Sequence, residues 1–233
     1  MRQAPSSGSL PARPASAPGA AATPALTLAL APPALGGGQF AHIGRRYDTH
    51  LKATVATLHP GDFYISGTEW ISTLLGSCVS ACIRDTHLRI GGMNHFMLPE
   101  NSADGGSWGH LAGSATRYGN VAMERLINEI LKCGGQRNHL EVKLVGGGKV
   151  LDAMTDIGAR NISFVREYLR AEGIRVVGED LGGNAPRKVL YDPATGTARV
   201  KRLARASDQV VAEERSYLQR IDRAPVAGEI ELF

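Results

Sequence analysis

The chain reads as a single α/β or α+β domain with a mixed sheet, preceded by a tail without a core of its own. Three observations predict this. Short apolar runs punctuated by glycine fill residues 61–98, strand-like and helix-like periods alternate over 118–178, and the first 38 residues are dominated by Ala, Pro, Gly, Ser and Thr.

In that opening stretch Arg2 and Arg13 are the only charges. Such a composition buries too little apolar surface to offset the entropy of ordering, so residues 1–55 are expected to be a disordered tail. Residues 42–50, with Arg45, Arg46 and Tyr47, resemble neither the Ala/Pro stretch nor a linker. The folded domain is expected over 56–205, with a C-terminal extension over 206–233.

Residues 61–65 and 69–75 read as extended segments about a Ser66-Gly67 turn, and 78–83 as a further strand. A turn at Arg84, Asp85 and Thr86 brings the chain back over 88–98. Residues 99–119 are loop chemistry, long enough to suggest a lid. Tyr118, Ala122, Leu126 and Ile130 recur at helical spacing until Gly134 and Gly135 stop the pattern. A strand over 140–145, a helix through Ile162, Val165 and Leu169 ending at Gly173, and a strand over 174–178 follow. Two more strands, 188–191 and 197–203, flank a turn at Asp192-Pro-Ala-Thr-Gly196. Val211, Tyr217, Leu218 and Ile221 fall near one face of a short helix, expected to fray on the surface.

Several function classes are excluded at this level. No run of eighteen apolar residues offers a membrane span, and the best apolar window, residues 25–31, is bounded by prolines and too short for a secretory signal. Three cysteines argue for a reducing compartment rather than a disulfide framework, and a cytoplasmic location is expected. The net charge of +4 is spread among both signs; the cluster Arg199, Lys201, Arg202 and Arg205 reads as a solvated strand edge rather than a nucleic-acid surface.

The pair that carries chemistry is Cys78 and His95. A free thiol has a pKa near ~8.5 and is only slightly ionised at neutral pH, so a nucleophilic cysteine needs an imidazole, dipole or cation beside it. Gly76-Ser77 ahead of Cys78 supplies an open turn whose main-chain N–H groups are free to hold an oxyanion. Read from spacing alone, Cys78 is equally a buried cysteine after an ordinary turn, while His95, in an apolar run between Asn94 and Phe96, reads more readily as a hydrogen-bonded core histidine than as a base. If residues 78–83 are a strand, Cys82 lies roughly 13 Å from Cys78 and is a packing residue; only a helix would let the two share a zinc ion. Cys133, at a helix end, reads as packing.

The run Thr73-Leu-Leu-Gly-Ser-Cys78-Val-Ser-Ala-Cys82-Ile-Arg-Asp85, followed by Gly91-Gly-Met-Asn-His95-Phe-Met-Leu-Pro99, resembles the CheD family of chemoreceptor glutamine deamidases. Further matches are Lys143-Leu-Val-Gly-Gly-Gly148, Ile157-Gly-Ala-Arg-Asn161, and Glu179-Asp-Leu-Gly-Gly-Asn184 with Arg187 and Tyr191, so the resemblance covers about residues 60–203. It implies a cysteine hydrolase on a compact α/β sandwich, with Cys78 as nucleophile, His95 as base and Thr73 as supporting hydroxyl. Ser72 stands beside Thr73, and either hydroxyl can fill that third position. The implied reaction converts glutamines on the cytoplasmic helices of methyl-accepting chemotaxis receptors to glutamate with release of ammonia, and requires no metal or organic cofactor. The resemblance also allows a docking role towards receptors or a CheC-type phosphatase, and receptor methylester hydrolysis through the same acyl-enzyme.

Overall fold

In the computed structural model, residues 38–99, 114–150, 157–204 and 208–223 are described, all within the compact unit 32–233. They build two five-stranded sheets, each mixed in direction. The first has the order β1 (Gly44–Asp48), β2 (Ala53–Leu58), β4 (Trp70–Leu75), β9 (Arg187–Asp192), β10 (Thr197–Arg202). The second runs β3 (Phe63–Ser66), β6 (Ile90–Asn94), β5 (Val79–Asp85), β7 (Leu140–Gly146), β8 (Arg175–Leu181). Helix α1 (Ser114–Lys132) packs on β3, β5 and β6, and α2 (Ile157–Ala171) on β5 and β8. A third helix, α3, spans Asp208–Arg223.

Burial follows from this layering. β5 and β6 sit inside the second sheet, and β5 is buried on both faces apart from Arg84. Its small and β-branched residues suit a strand that receives packing from two sides. By contrast, β1 at an edge is exposed along four of its five residues. Apolar residues of both sheets and of all three helices share one core cluster, including Ile71, Leu75, Ile83, Met93, Leu126 and Leu218. Arg84 and Lys143 of the second sheet donate to the Ala194 and Gly196 carbonyls in the β9–β10 turn at 3.2 and 2.7 Å, tying the sheets together. Close packing explains one glycine in particular: a Cβ at Gly92 would lie 2.3 Å from the Tyr64 carbonyl oxygen and 2.7 Å from the Leu126 side chain, so α1 and the neighbouring strand leave no room there.

The fold is the α/β sandwich that the family resemblance implies, and most expected elements lie within a few residues of their observed bounds. α1 and α2 each start several residues earlier than their apolar spacing suggests. Two expectations need correction. The boundary at residue 55 falls too late, because Phe40 and Ile43 are buried in the core and β1 pairs antiparallel with β2. The Phe40 ring meets Phe63 and Tyr64 edge-on, with centroids 5.4 and 5.1 Å away, and that aromatic anchor orders the segment. The C-terminal helix is not a surface element either: Val210, Glu214, Tyr217, Leu218 and Ile221 of α3 are buried. The expected tail over residues 1–37 and most of the suggested lid, residues 100–113, lie outside the described residues.

Candidate active site

Cys78 lies where the chain passes from β4 of one sheet to β5 of the other, and His95 directly follows β6. Strand pairing fixes both. His95 donates its N–H to the Asp62 carbonyl at 2.9 Å and accepts from Gly61 N–H at 2.8 Å, while Val79 and Phe96 exchange a pair of 3.0 Å bonds beside it. Cys78 Sγ, a His95 ring nitrogen and a Glu214 carboxylate oxygen lie within 4.8 Å of one another, and all three residues are buried.

Alternation along β4 resolves the two neighbouring hydroxyls. Thr73 Oγ1 lies 2.7 Å from His95 Nδ1, whereas Ser72 points to the other face and donates to the Val189 carbonyl at 3.1 Å. Thr73 also donates to the Leu58 carbonyl at 2.9 Å. Its single proton is thereby committed, so the 2.7 Å contact is Nδ1–H of His95 donating to Oγ1. The lone pair of this tautomer is on Nε2, which is buried with no hydrogen-bond partner among the described residues. An unpaired imidazole nitrogen, on a ring beside a thiol, holds the lone pair that accepting a proton requires.

The turn before the thiol is held by its main-chain carbonyls. Gly147 N–H donates to the Cys78 carbonyl at 2.7 Å, Gly148 N–H to the Gly76 carbonyl at 2.9 Å, and Asn161 Nδ2 to the Ser77 carbonyl at 3.0 Å. Gly146 has φ +119°, and a Cβ there would lie 2.2 Å from the Cys78 carbonyl oxygen. Buried Arg187 donates to Asp180 and to the Ala185 and Gly182 carbonyls, fixing the adjoining loop, which binds the 146–149 turn through Gly182 N–H and Lys149 N–H. The glycine turn, Asn161, the Asp180–Gly183 segment and Arg187 of the quoted motifs thus brace the turn that carries Cys78. With its carbonyls occupied, that turn presents three N–H groups in one direction.

Glu214 of α3 fills this nest. Its carboxylate accepts from Gly76 N–H at 2.8 Å, Ser77 N–H at 2.9 Å and Cys78 N–H at 3.1 Å, and from the Ser77 hydroxyl at 2.7 Å. Nothing in the sequence singles it out; its only signal is helical register with Tyr217, Leu218 and Ile221. Burial pushes the Cys78 thiol well above its ordinary value, and the Glu214 charge adds to the shift. Burial likewise lowers His95 to about 4, against the pull of Glu214 and Asp62. With α3 in place the pair is a thiol and a neutral imidazole. Cys, His and Glu are metal-ligand types, but Glu214 already faces four donors, an arrangement built for an anion and hostile to a cation.

Beside His95 a cleft of about 70 Å³ is lined by Gly61, Asp62, Asn94, Tyr118, Arg125 and Tyr217, with room for water. Cys82 is buried mid-strand opposite Met93 and Lys143, and burial raises it to about 12. Because residues 79–85 form a strand, the condition for a shared Cys78–Cys82 zinc site is not met. Cys133 is partly buried against the core at the end of α1.

A buried thiol, an imidazole with a free Nε2 and a preformed N–H nest are the parts of a cysteine-type amidohydrolase. A family profile described as CheD chemotactic sensory transduction matches residues 97–202. The chain is 54% identical over 197 residues, 83% of this chain and 91% of the relative, to the probable chemoreceptor glutamine deamidase CheD of Halorhodospira halophila. A protein of the same name from Saccharophagus degradans is 47% identical over 211 residues (86% and 94%), and one from Rhodopseudomonas palustris 48% over 193 (81% and 89%). The profile match begins after His95, but a stretch covering 83% of 233 residues cannot avoid residues 73–95. The chain belongs to the CheD family. No described helix is long and apolar enough to cross a membrane.

Proposed function

We propose that this chain hydrolyses glutamine side chains on methyl-accepting chemotaxis receptors to glutamate, with Cys78 as nucleophile, His95 as base and Thr73 as the group that orients the imidazole. The observation that carries this reading is the relay from Leu58 carbonyl through Thr73 to His95 Nδ1, which leaves Nε2 unpaired on a ring that lies beside the Cys78 thiol, itself at the edge of an N–H nest. His95 Nε2 takes the Cys78 proton, and the thiolate attacks the carboxamide carbon. Negative charge on the carbonyl oxygen enters the nest of Gly76, Ser77 and Cys78 once Glu214 has vacated it. The imidazolium returns its proton to the departing ammonia, leaving a thioester. Water from the cleft then attacks, with His95 as base, and releases glutamate and the free thiol. Ammonia out and water in account for every atom.

Each turnover places one negative charge on a receptor helix, a local electrostatic change able to bias a two-state signalling element. Such receptors present their signalling helices inside the cell, so the protein acts in the cytoplasm. A CheC-type phosphatase is a further proposed partner, and the domain proper is proposed to start near residue 38 and to include α3. Mass spectrometry of a receptor cytoplasmic fragment incubated with the protein tests the reaction: deamidation adds ~1 Da at a glutamine and requires Cys78. Cleavage of methylated but not amidated receptor would favour the ester reaction, which passes through the same thioester.

A further inference from the structure

On α3 the buried residues Val210, Glu214, Tyr217, Leu218 and Ile221 form one stripe, and Glu214 is the only charge in it, 2% exposed. A buried carboxylate is costly unless its charge is met. Among the described residues Glu214 forms no ion pair; the turn's three N–H groups and the Ser77 hydroxyl meet its charge. It therefore sits as a ligand sits, in a nest that the sheet has already formed.

The rest of α3 completes the picture of an occupant. Tyr217 covers Gly61, where a Cβ would lie 2.7 Å from the ring, its hydroxyl contacts that of Tyr118, and it walls the cleft beside His95. At the rim His59 and Glu213 approach to 3.4 Å, the His59 side chain well exposed and that of Glu213 partly so, a contact open to solvent screening. No strand pairs with any described residue beyond Arg202, so α3 can leave without breaking a sheet.

Glutamate is also the product of the proposed reaction, and a receptor would deliver it from a helix. The geometry points to α3 as a built-in product mimic: it occupies the groove of the substrate helix with Glu214 in the seat of the product carboxylate, and it must be displaced for turnover. This rests on the deamidase reading for the identity of the competitor. A substrate helix then competes with a tethered one, and its apparent affinity falls by the fraction of molecules in which α3 is docked. The groove favours a glutamine with an apolar residue four positions before it and aromatic or aliphatic residues three, four and seven positions after it, the spacing that Val210, Tyr217, Leu218 and Ile221 hold around Glu214.

The test uses the full chain and two variants, Glu214→Ala and Leu218→Asp, the second of which undocks the helix and keeps the carboxylate. Iodoacetamide alkylation of Cys78 is followed by peptide mass spectrometry, with Cys82 in the same digest as a monitor of the core. Expected is a Cys78 rate at least about tenfold above wild type in both variants with Cys82 still protected, and a lower KM for a receptor fragment in Leu218→Asp at unchanged kcat. An unchanged Cys78 rate in either variant, or Cys82 rising in step with it in both, overturns the proposal. Glu214→Gln supplies a second reading: the introduced glutamine should be converted to glutamate within the chain, and not when Cys78 is also alanine. Persistence of that glutamine in a protein that deamidates receptor overturns the mimicry. Receptor left intact by every variant, with Cys78 nevertheless exposed, sinks the deamidase reading and leaves the occlusion standing.

Discussion

Both ends of β5 are closed by a buried carboxylate that gathers three main-chain N–H groups, and they differ in where the carboxylate comes from. At the exit, Asp85 accepts from His87 and Leu88 N–H at 2.8 Å each and from Gln136 N–H at 2.9 Å. At the entry, the acceptor for Gly76, Ser77 and Cys78 is Glu214, more than 130 residues away in sequence. Two of the Asp85 contacts form with the turn itself, so its donors never exist without their acceptor. The Glu214 donors do, because the turn that carries them is held by Gly147, Gly148 and Asn161 instead. One carboxylate is part of a turn, and the other is a replaceable guest in a site.

The sharpest way to break this contrast is Cys78→Ala. Turnover on a receptor fragment should fall below detection with the melting temperature nearly unchanged, whereas Cys82→Ala, on the same strand, should keep turnover and lose about 1 kcal/mol of stability. Substantial activity without Cys78 would end the covalent mechanism. At the other end, Asp85→Ala strands three donors and should cost about 4 kcal/mol, read as a lower denaturant midpoint at constant slope. Glu214→Ala, whose donors open to water, should cost less than half as much; equal losses would erase the distinction.

A third effect lies in pH. His95 is held at about 4, below its ordinary 6.5, so the fold favours the neutral ring. Its contribution is complete above pH 6.5 and is lost as pH falls through that value towards 4, by roughly 3 kcal/mol in all. Denaturant titrations across this window should slope in the wild type and flatten in His95→Asn; identical slopes would refute it. The smallest effect belongs to Thr73→Ala, about tenfold in kcat for one orienting hydrogen bond, with Ser72→Ala near wild type. A larger loss at Ser72 would reverse the assignment.

What the sequence revealed, and what it hid, follows the same division. The strands around Cys78 and His95 were legible because apolar runs and glycines mark them, and Cys78 with His95 because few side chains can act as nucleophile and base. The pairing of Thr73 rather than Ser72 needed the pleat of β4. Residues 40–55 were illegible because β1 is an exposed edge anchored by two apolar side chains, Phe40 and Ile43. Glu214 was hidden for a different reason: three of its four partners are main-chain N–H groups, which leave no side-chain signature, and a carboxylate on a helix reads as solvent-facing.

Thr73 belongs to one sheet, His95 directly follows a strand of the other, and Cys78 lies on the crossing between them. The proposed catalytic atoms therefore span a seam, and their alignment is a measure of how the two layers are stacked. A substitution at Ile71, Leu75 or Met93, none of which need touch a substrate, can shear one layer past the other, and a slip near 1 Å is worth about a hundredfold in rate. Core volume in this protein is a tuning parameter for catalysis as much as a source of stability.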